Sequence, residues 1–218
     1  MTYRGICLLD LDGTLTDPRE GITKALRHAL SCLGMEVGLE GLEAYIGPPL
    51  RETFTKGFGL DGADAESAVS RFREYYSEKG IYENAVYPGI PEALALLASG
   101  GLALAVATSK PTAYAERVLA HFGIGRHVRL ISGDAMDGSL TKGGKDEVVR
   151  IALDALDPGR AKPASMVGDR MHDIAGAKAN GIEGIGVLWG YGSRRELTEA
   201  GADYIAVDVE ALLGYLLP

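Results

Sequence analysis

The chain has 218 residues, 46% hydrophobic and 24% charged, the balance of a globular protein that buries a core rather than of a disordered one. A net charge of −8, from 22 basic and 30 acidic side chains, argues against general affinity for nucleic acid, whose phosphates are held by clustered Lys and Arg. The two cysteines, Cys7 and Cys32, are too few for a disulfide framework or a zinc site and fit a reducing cytoplasm.

In chain order, Ile6-Cys7-Leu8-Leu9 runs into Asp10, too short for the apolar region of a signal peptide and read instead as a buried strand. Residues 18–84 then offer helix after helix and no convincing strand. Asp17-Pro18 reads as the cap and first-turn proline of a helix, and Ile22, Ala25, Leu26, Ala29, Leu30 and Leu33 form its apolar stripe before Gly34. Residues 51–58 and 65–76 continue in the same manner. The stretch 93–108 is the most lipid-like, but Ser99-Gly100-Gly101 splits it and it falls short of the ~20 apolar residues that cross a bilayer. Ala93, Leu94, Leu96 and Leu97 are assigned to the core, and 102–107 to a strand ending before Thr108.

From there strands and helices alternate. Helices are expected at 111–122, 145–155, 173–180 and 194–200, and strands at 128–131, 165–168, 184–188 and 204–207. Continuous rather than alternating hydrophobicity marks strands covered on both faces. The fold class is therefore α/β, a doubly wound parallel sheet with an inserted all-helical cap. Residues 1–17 and 85–218 are expected to form the core and 18–84 the cap, with hinges near Thr16-Asp17 and 82–87.

Ligands in such sheets sit at the carboxyl ends of the strands, where Asp10, Thr108 and Asp169 all stand. Asp10-Leu11-Asp12-Gly13-Thr14 places two carboxylates on a tight turn after a strand, which suits the oxygen coordination of Mg2+. An isolated strand-end aspartate is most often structural. That reading loses weight because Gly168-Asp169 and Asp173 give a second acidic pair, Thr108-Ser109 offers hydroxyls before a helix N-terminus, and Lys145 supplies a cation.

With these motifs the chain resembles, over essentially its whole length, the haloacid dehalogenase superfamily, specifically the phosphoglycolate-phosphatase-like branch with a helical cap after the first motif. DxDGT matches Asp10 to Thr14, the Thr or Ser of the second motif matches Thr108, the lysine of the third matches Lys145 better than Lys142, and GDxxxD matches Gly168, Asp169 and Asp173. The resemblance implies Asp10 as nucleophile and Asp12 as general acid and base. It implies Mg2+ on the Asp10 side chain, the Asp12 carbonyl and Asp169, with Asp173 orienting ligands from behind. Thr108 and Lys145 would hold the phosphoryl oxygens, and Gly13, Thr14, Ser109 and Lys110 would help bind phosphate or substrate. Arg51, after the stiff turn Tyr45 to Leu50, is a candidate for a carboxylate or second phosphate, against a bland reading as a solvated helix-start arginine.

The expected activity is hydrolysis of a small phosphomonoester, with phosphoglycolate the favourite and a nucleoside monophosphate or sugar phosphate the alternative; a phosphomutase is also open. No nucleic acid or membrane partner is expected, and either a monomer or a homodimer is compatible. Two rivals are weaker. A nucleotide-cofactor enzyme lacks GxGxxG after the first strand, and a phospho-acceptor signalling module resembles a smaller domain with its acceptor on a third strand. His28, His121, His127 and His172 are read mainly as structural or surface positions, and Trp189 to Gly192 as a packed loop.

Overall fold

A computed structural model describes residues 3–141 and 144–217; Lys142, the alternative lysine for the third motif, lies outside the described residues. The chain begins with β1 (Gly5–Leu9), β2 (Thr16–Asp17), α1 (Arg19–Cys32), a 3-10 turn (Leu42–Tyr45), α2 (Leu50–Glu52), a π-helical turn (Thr53–Gly57), α3 (Gly62–Tyr75), a second π-helical turn (Tyr76–Gly80) and β3 (Ala85–Val86). It continues with α4 (Ile90–Ser99), β4 (Leu102–Pro111), α5 (Thr112–His121), a 3-10 turn (Ile124–His127), β5 (Val128–Asp134), α6 (Asp146–Leu156), β6 (Ala164–Gly168), α7 (Met171–Ala179), β7 (Glu183–Val187), α8 (Arg194–Glu199), β8 (Tyr204–Ala206) and α9 (Val209–Leu216).

Six strands form one parallel sheet in the order β5-β4-β1-β6-β7-β8. Counted among themselves, these strands run 3-2-1-4-5-6, so the order reverses between β1 and β6 and opens a crevice at their carboxyl ends. Leu9 of β1 lies opposite Val167 of β6, which brings Asp10 and Asp169 out side by side. The continuous apolar runs are explained by burial on both faces. Cys7, Leu9, Leu104 and Val106 join a cluster with Leu94, Leu97, Val118 and Leu119, whereas Ile6, Leu8, Ala103 and Ala105 pack with Val149, Ala152 and Leu153 of α6. Each fully buried Leu, Ile or Val contributes about 1.5–3 kcal/mol.

The helices between β2 and β3 pack mainly α1 on α3, through Ala25, Leu26, Ala29 and Leu30 against Ala68, Val69 and Phe72. Gly21 lets α1 come close to the second π-helical turn, because a Cβ there would lie 1.9 Å from the Gly80 carbonyl oxygen. Asp17 is not the helix cap: it pairs with Ala85 in a two-residue antiparallel ribbon, and its carboxylate accepts from Arg19 N at 3.1 Å. The expected crossing points fall on this ribbon, whose strands are too short to show any hydrophobic period. Leu96 is not core but 50% exposed, since Ile90, Ala93, Leu94 and Leu97 take the inner face of α4. Among the described residues no helix is long and apolar enough to cross a membrane. Cys7 is buried and Cys32 exposed, and both are free.

Candidate active site

Asp10 leaves the end of β1, Asp169 the end of β6, Asp173 lies in the first turn of α7, and Lys145 immediately precedes α6. Residues separated by most of the chain thus meet at the reversal point of the sheet. Carboxylate oxygens of Asp10, Asp169 and Asp173 lie within 4.8 Å of one another, all three residues buried. The Lys145 ammonium sits 2.6 Å from Asp10 Oδ2 and 2.6 Å from Asp173 Oδ1.

Three carboxylates around one ammonium leave an excess of negative charge in a buried site. Burial, then Asp173 and Asp10, push the Asp169 carboxyl up to about 7. Burial also raises Asp173, although Lys145 pulls the other way. For Lys145 burial opposes the charge, but Asp10 and Asp173 outweigh it and hold the ammonium above the ordinary lysine range. Asp10 Oδ1 is buried with no hydrogen-bond partner. An orphaned buried acceptor costs about 1–3 kcal/mol, and here it belongs to an all-oxygen cluster of the kind a hard divalent cation takes. The residues present therefore fit Mg2+.

Asp12 Oδ2 accepts from Lys110 Nζ, while Asp12 Oδ1 is buried and unpartnered. Burial, more than any neighbouring charge, raises the Asp12 carboxyl. Its side chain stands outside the trio of Asp10, Asp169 and Asp173. The Lys110 ammonium also lies 4.9 Å from the centre of the Tyr76 ring. Thr108, Ser109 and Lys110 are not beyond a strand, as expected, but within the irregular last part of β4, where the pairing with β5 shifts between Ala107 and Pro111. Thr108 is buried, and its hydroxyl accepts from Lys110 N at 3.3 Å.

Gly13, at φ +87°, closes the turn against Asp169: a Cβ there would lie 2.3 Å from Asp169 Oδ2. Thr14 Oγ1 donates to Asp169 Oδ1 at 3.5 Å. The loop after β7 does more than pack. Tyr191 N donates to Asp169 Oδ2 at 2.7 Å, and Trp189 Nε1 donates to the Thr14 carbonyl at 3.0 Å. Gly190 backs the same carboxylate so closely that a Cβ would be 2.4 Å from Asp169 Cβ. Two glycines straddling an aromatic residue just past a strand were the available signal for this wall.

Asp10, Asp12, Thr108, Ser109, Lys110 and Lys145 open into one cavity of about 580 Å³, roofed by residues 45–53 and by Val69, Phe72, Arg73 and Tyr76. Arg51 lines it, but its guanidinium is paired with Glu66, both side chains being more than half exposed. Asp134, which sequence reasoning missed, lines the cavity and folds the following loop by accepting from Ala135 N at 2.7 Å and Leu140 N at 3.0 Å. Arg170 donates to the Ile46 carbonyl at 2.6 Å and pairs with Glu196 at 2.9 Å. None of the four histidines lines the cavity.

A family model described as haloacid dehalogenase-like hydrolase matches residues 7–187. A 5'-nucleotidase of Pseudomonas aeruginosa is 46% identical over 206 residues, covering 94% of this chain and 92% of the relative. The tyrosine-protein kinase PtkA of Mycobacterium tuberculosis is 45% identical over 188 residues, 86% of this chain but only 63% of that longer relative. A plasmid-borne phosphoglycolate phosphatase of Cupriavidus necator is 34% identical over 218 residues, with 97% and 92% covered. Among solved structures, a protein described as a predicted phosphatase from Clostridium acetobutylicum superposes with a TM-score of 0.92 at 39% identity, covering 100% of this chain and 99% of the other.

Proposed function

As the chain belongs to the haloacid dehalogenase-like hydrolases, we propose that it is a Mg2+-dependent phosphomonoesterase that works through an aspartyl phosphate on Asp10. The observation that carries this reading is the convergence of Asp10, Asp169 and Asp173 at the reversal point of the sheet, with Lys145 bridging Asp10 and Asp173. Residues 18–84 act as its cap, and a cytoplasmic setting suits the two free cysteines.

An Asp10 carboxylate oxygen attacks phosphorus and the bond to the leaving alcohol breaks. Asp12 gives the departing alcohol oxygen a proton, then takes one from the water that cleaves the acyl phosphate, releasing inorganic phosphate and restoring Asp10. Lys110 holds one Asp12 oxygen and leaves the other unpartnered for this transfer, and burial raises the carboxyl in the direction a proton carrier needs. A carboxylate 4 Å from one phosphate charge is repelled by about 4 kcal/mol at an effective dielectric of ~20. Lys145, with Thr108 as a hydroxyl donor, offsets that repulsion at the phosphoryl oxygens. The Asp10 and Asp169 carboxylates and the Asp12 carbonyl, with Asp173 beside them, would hold Mg2+, which would supply the remaining positive charge and polarise the phosphoryl group.

For the substrate, a nucleoside monophosphate fits better than phosphoglycolate. The relative named 5'-nucleotidase is 46% identical against 34% for the phosphoglycolate phosphatase. Arg51, a candidate partner for a carboxylate or second phosphate, is paired with Glu66. Phosphoglycolate remains the second reading, supported by that more distant relative. The test is repeated release of phosphate from both compounds with Mg2+. Asp10→Asn should abolish turnover and leave the thermal unfolding profile cooperative; substantial residual turnover would place the nucleophile elsewhere. A single, stoichiometric phosphorylation without turnover would favour a phospho-acceptor module instead.

A further inference from the structure

Five buried side-chain polar atoms lack a hydrogen-bond partner among the described residues: Asp10 Oδ1, Asp12 Oδ1, Thr53 Oγ1, Tyr76 Oη and Tyr87 Oη. The first four belong to residues lining the one cavity above the strand ends. Asp10 and Asp12 are accounted for by the chemistry proposed above. Thr53 is not, and the Tyr76 hydroxyl has only the Lys110 ammonium near it, with no bond of full hydrogen-bond geometry. Thr53 and Tyr76 come from the opposite wall and are 3% and 2% exposed. Burying a hydroxyl without a partner costs about 1–3 kcal/mol, and such groups call for a specific explanation.

A second observation sets these two residues apart. Each is the first residue of a π-helical turn, Thr53–Gly57 and Tyr76–Gly80. Such widened turns are rare and recur where a helix departs from regular geometry to serve a site.

From this we infer that Thr53 and Tyr76 are specificity-determining residues that hydrogen-bond the leaving group, and that the group they select is uncharged and bears hydroxyls, such as the ribose of a nucleotide. The inference rests on the phosphatase reading above and deepens it. Neutral hydroxyls match hydroxyl and carbonyl groups, whereas a charged tail demands a cation. Of the five cations lining the cavity four are paired: Arg51 with Glu66, Lys56 with Glu52, Lys110 with Asp12, and Lys145 with Asp10 and Asp173. Arg73, half-buried on the same wall, has no ion pair among the described residues and marks the competing outcome, an anionic tail.

The test compares uridine 5'-monophosphate, phenyl phosphate and phosphoglycolate with Mg2+, using the full chain and its Tyr76→Phe and Thr53→Val variants. Tyr76→Phe removes only the hydroxyl and keeps the ring beside Lys110, and thermal unfolding of both variants checks that they fold. For each, the ratio of kcat/KM for the nucleotide over phenyl phosphate should fall about three- to tenfold, as for the loss of one neutral hydrogen bond. An unchanged ratio, a loss confined to phosphoglycolate, or an unsubstituted chain that prefers phenyl phosphate to the nucleotide would overturn the inference while leaving the phosphatase reading standing. Absence of phosphate release from all three by the unsubstituted chain would remove the phosphatase reading itself, and this inference with it.

Discussion

Replacing Lys145 with Met removes the one ammonium that, among the described residues, touches the carboxylate trio, while keeping an unbranched side chain of similar length. At an effective dielectric of ~20, a unit pair separated by 2.6 Å is worth about 6 kcal/mol, and Lys145 makes two such contacts. Desolvation of the buried ammonium cancels much of this, and breaking a buried pair by removing one partner costs about 3–5 kcal/mol. At about 2–4 °C per kcal/mol for a chain of this size, the melting temperature of Lys145→Met in EDTA at neutral pH should fall by about 6–20 °C. Millimolar Mg2+ should recover part of the loss, because a cation among the carboxylates restores some of the missing charge. Calorimetric melts with EDTA and with Mg2+ measure both effects, and phosphate release measures the accompanying loss of turnover. A melting temperature within about 2 °C of the unsubstituted chain in EDTA would refute the claim that Lys145 holds these carboxylates together.

The metal-free protein should also become more stable on acidification from about pH 8 to about pH 5. Asp169 is raised from 3.8 to about 7 in the fold, so its contribution is complete at low pH and is lost as pH rises through about 7. Mg2+ should flatten that slope, and melts across the range would show it. Gly190→Ala drives a methyl group into Asp169, with contacts of 2.4 Å to its Cβ and 2.3 Å to the Gly13 carbonyl. It should lower stability by about 1–3 kcal/mol, the usual cost of overpacking, and weaken Mg2+ activation, as a metal titration of activity would record. Arg51→Ala should change stability by less than about 1 kcal/mol, because its pair with Glu66 is exposed. It should also shift KM for carboxylated and neutral substrates alike; a rise restricted to carboxylated ones would return Arg51 to the specificity wall.

The sheet was legible because strands buried on both faces must be apolar at every position, and Ile6 to Leu9 or Leu104 to Ala107 show that without a partner being known. Asp10, Thr108 and Asp169 stood out because each stands at or near a strand end, where a parallel sheet collects its ligands, and Lys145 and Asp173 because each stands at a helix start facing them. What escaped depends on who meets whom. The ribbon of Thr16–Asp17 with Ala85–Val86 carries no periodic signal, and its pairing is set by the packing of everything between. The engagement of Arg51 by Glu66, fifteen positions on, required knowing how α2 settles on α3. The first π-helical turn fell inside the helix expected over 51–58 and the second begins at Tyr76, where the helix expected over 65–76 was to end; only the tertiary fit widens them. Tyr191 reaches Asp169 through its backbone N–H, a contact to which its side chain gives no clue.

The ribbon also fixes how any rotation of the roof would be geared. Its first strand begins at Thr16, which bridges directly to Asp12, so an axle there would stand beside the Asp10-to-Asp12 turn rather than at the far rim of the molecule. A swing about that axle sweeps the side chains farthest from it through a long arc and the Asp10-to-Asp12 turn through a short one. On the proposed mechanism, such leverage would let a bulky alcohol enter without disturbing the geometry of attack on phosphorus.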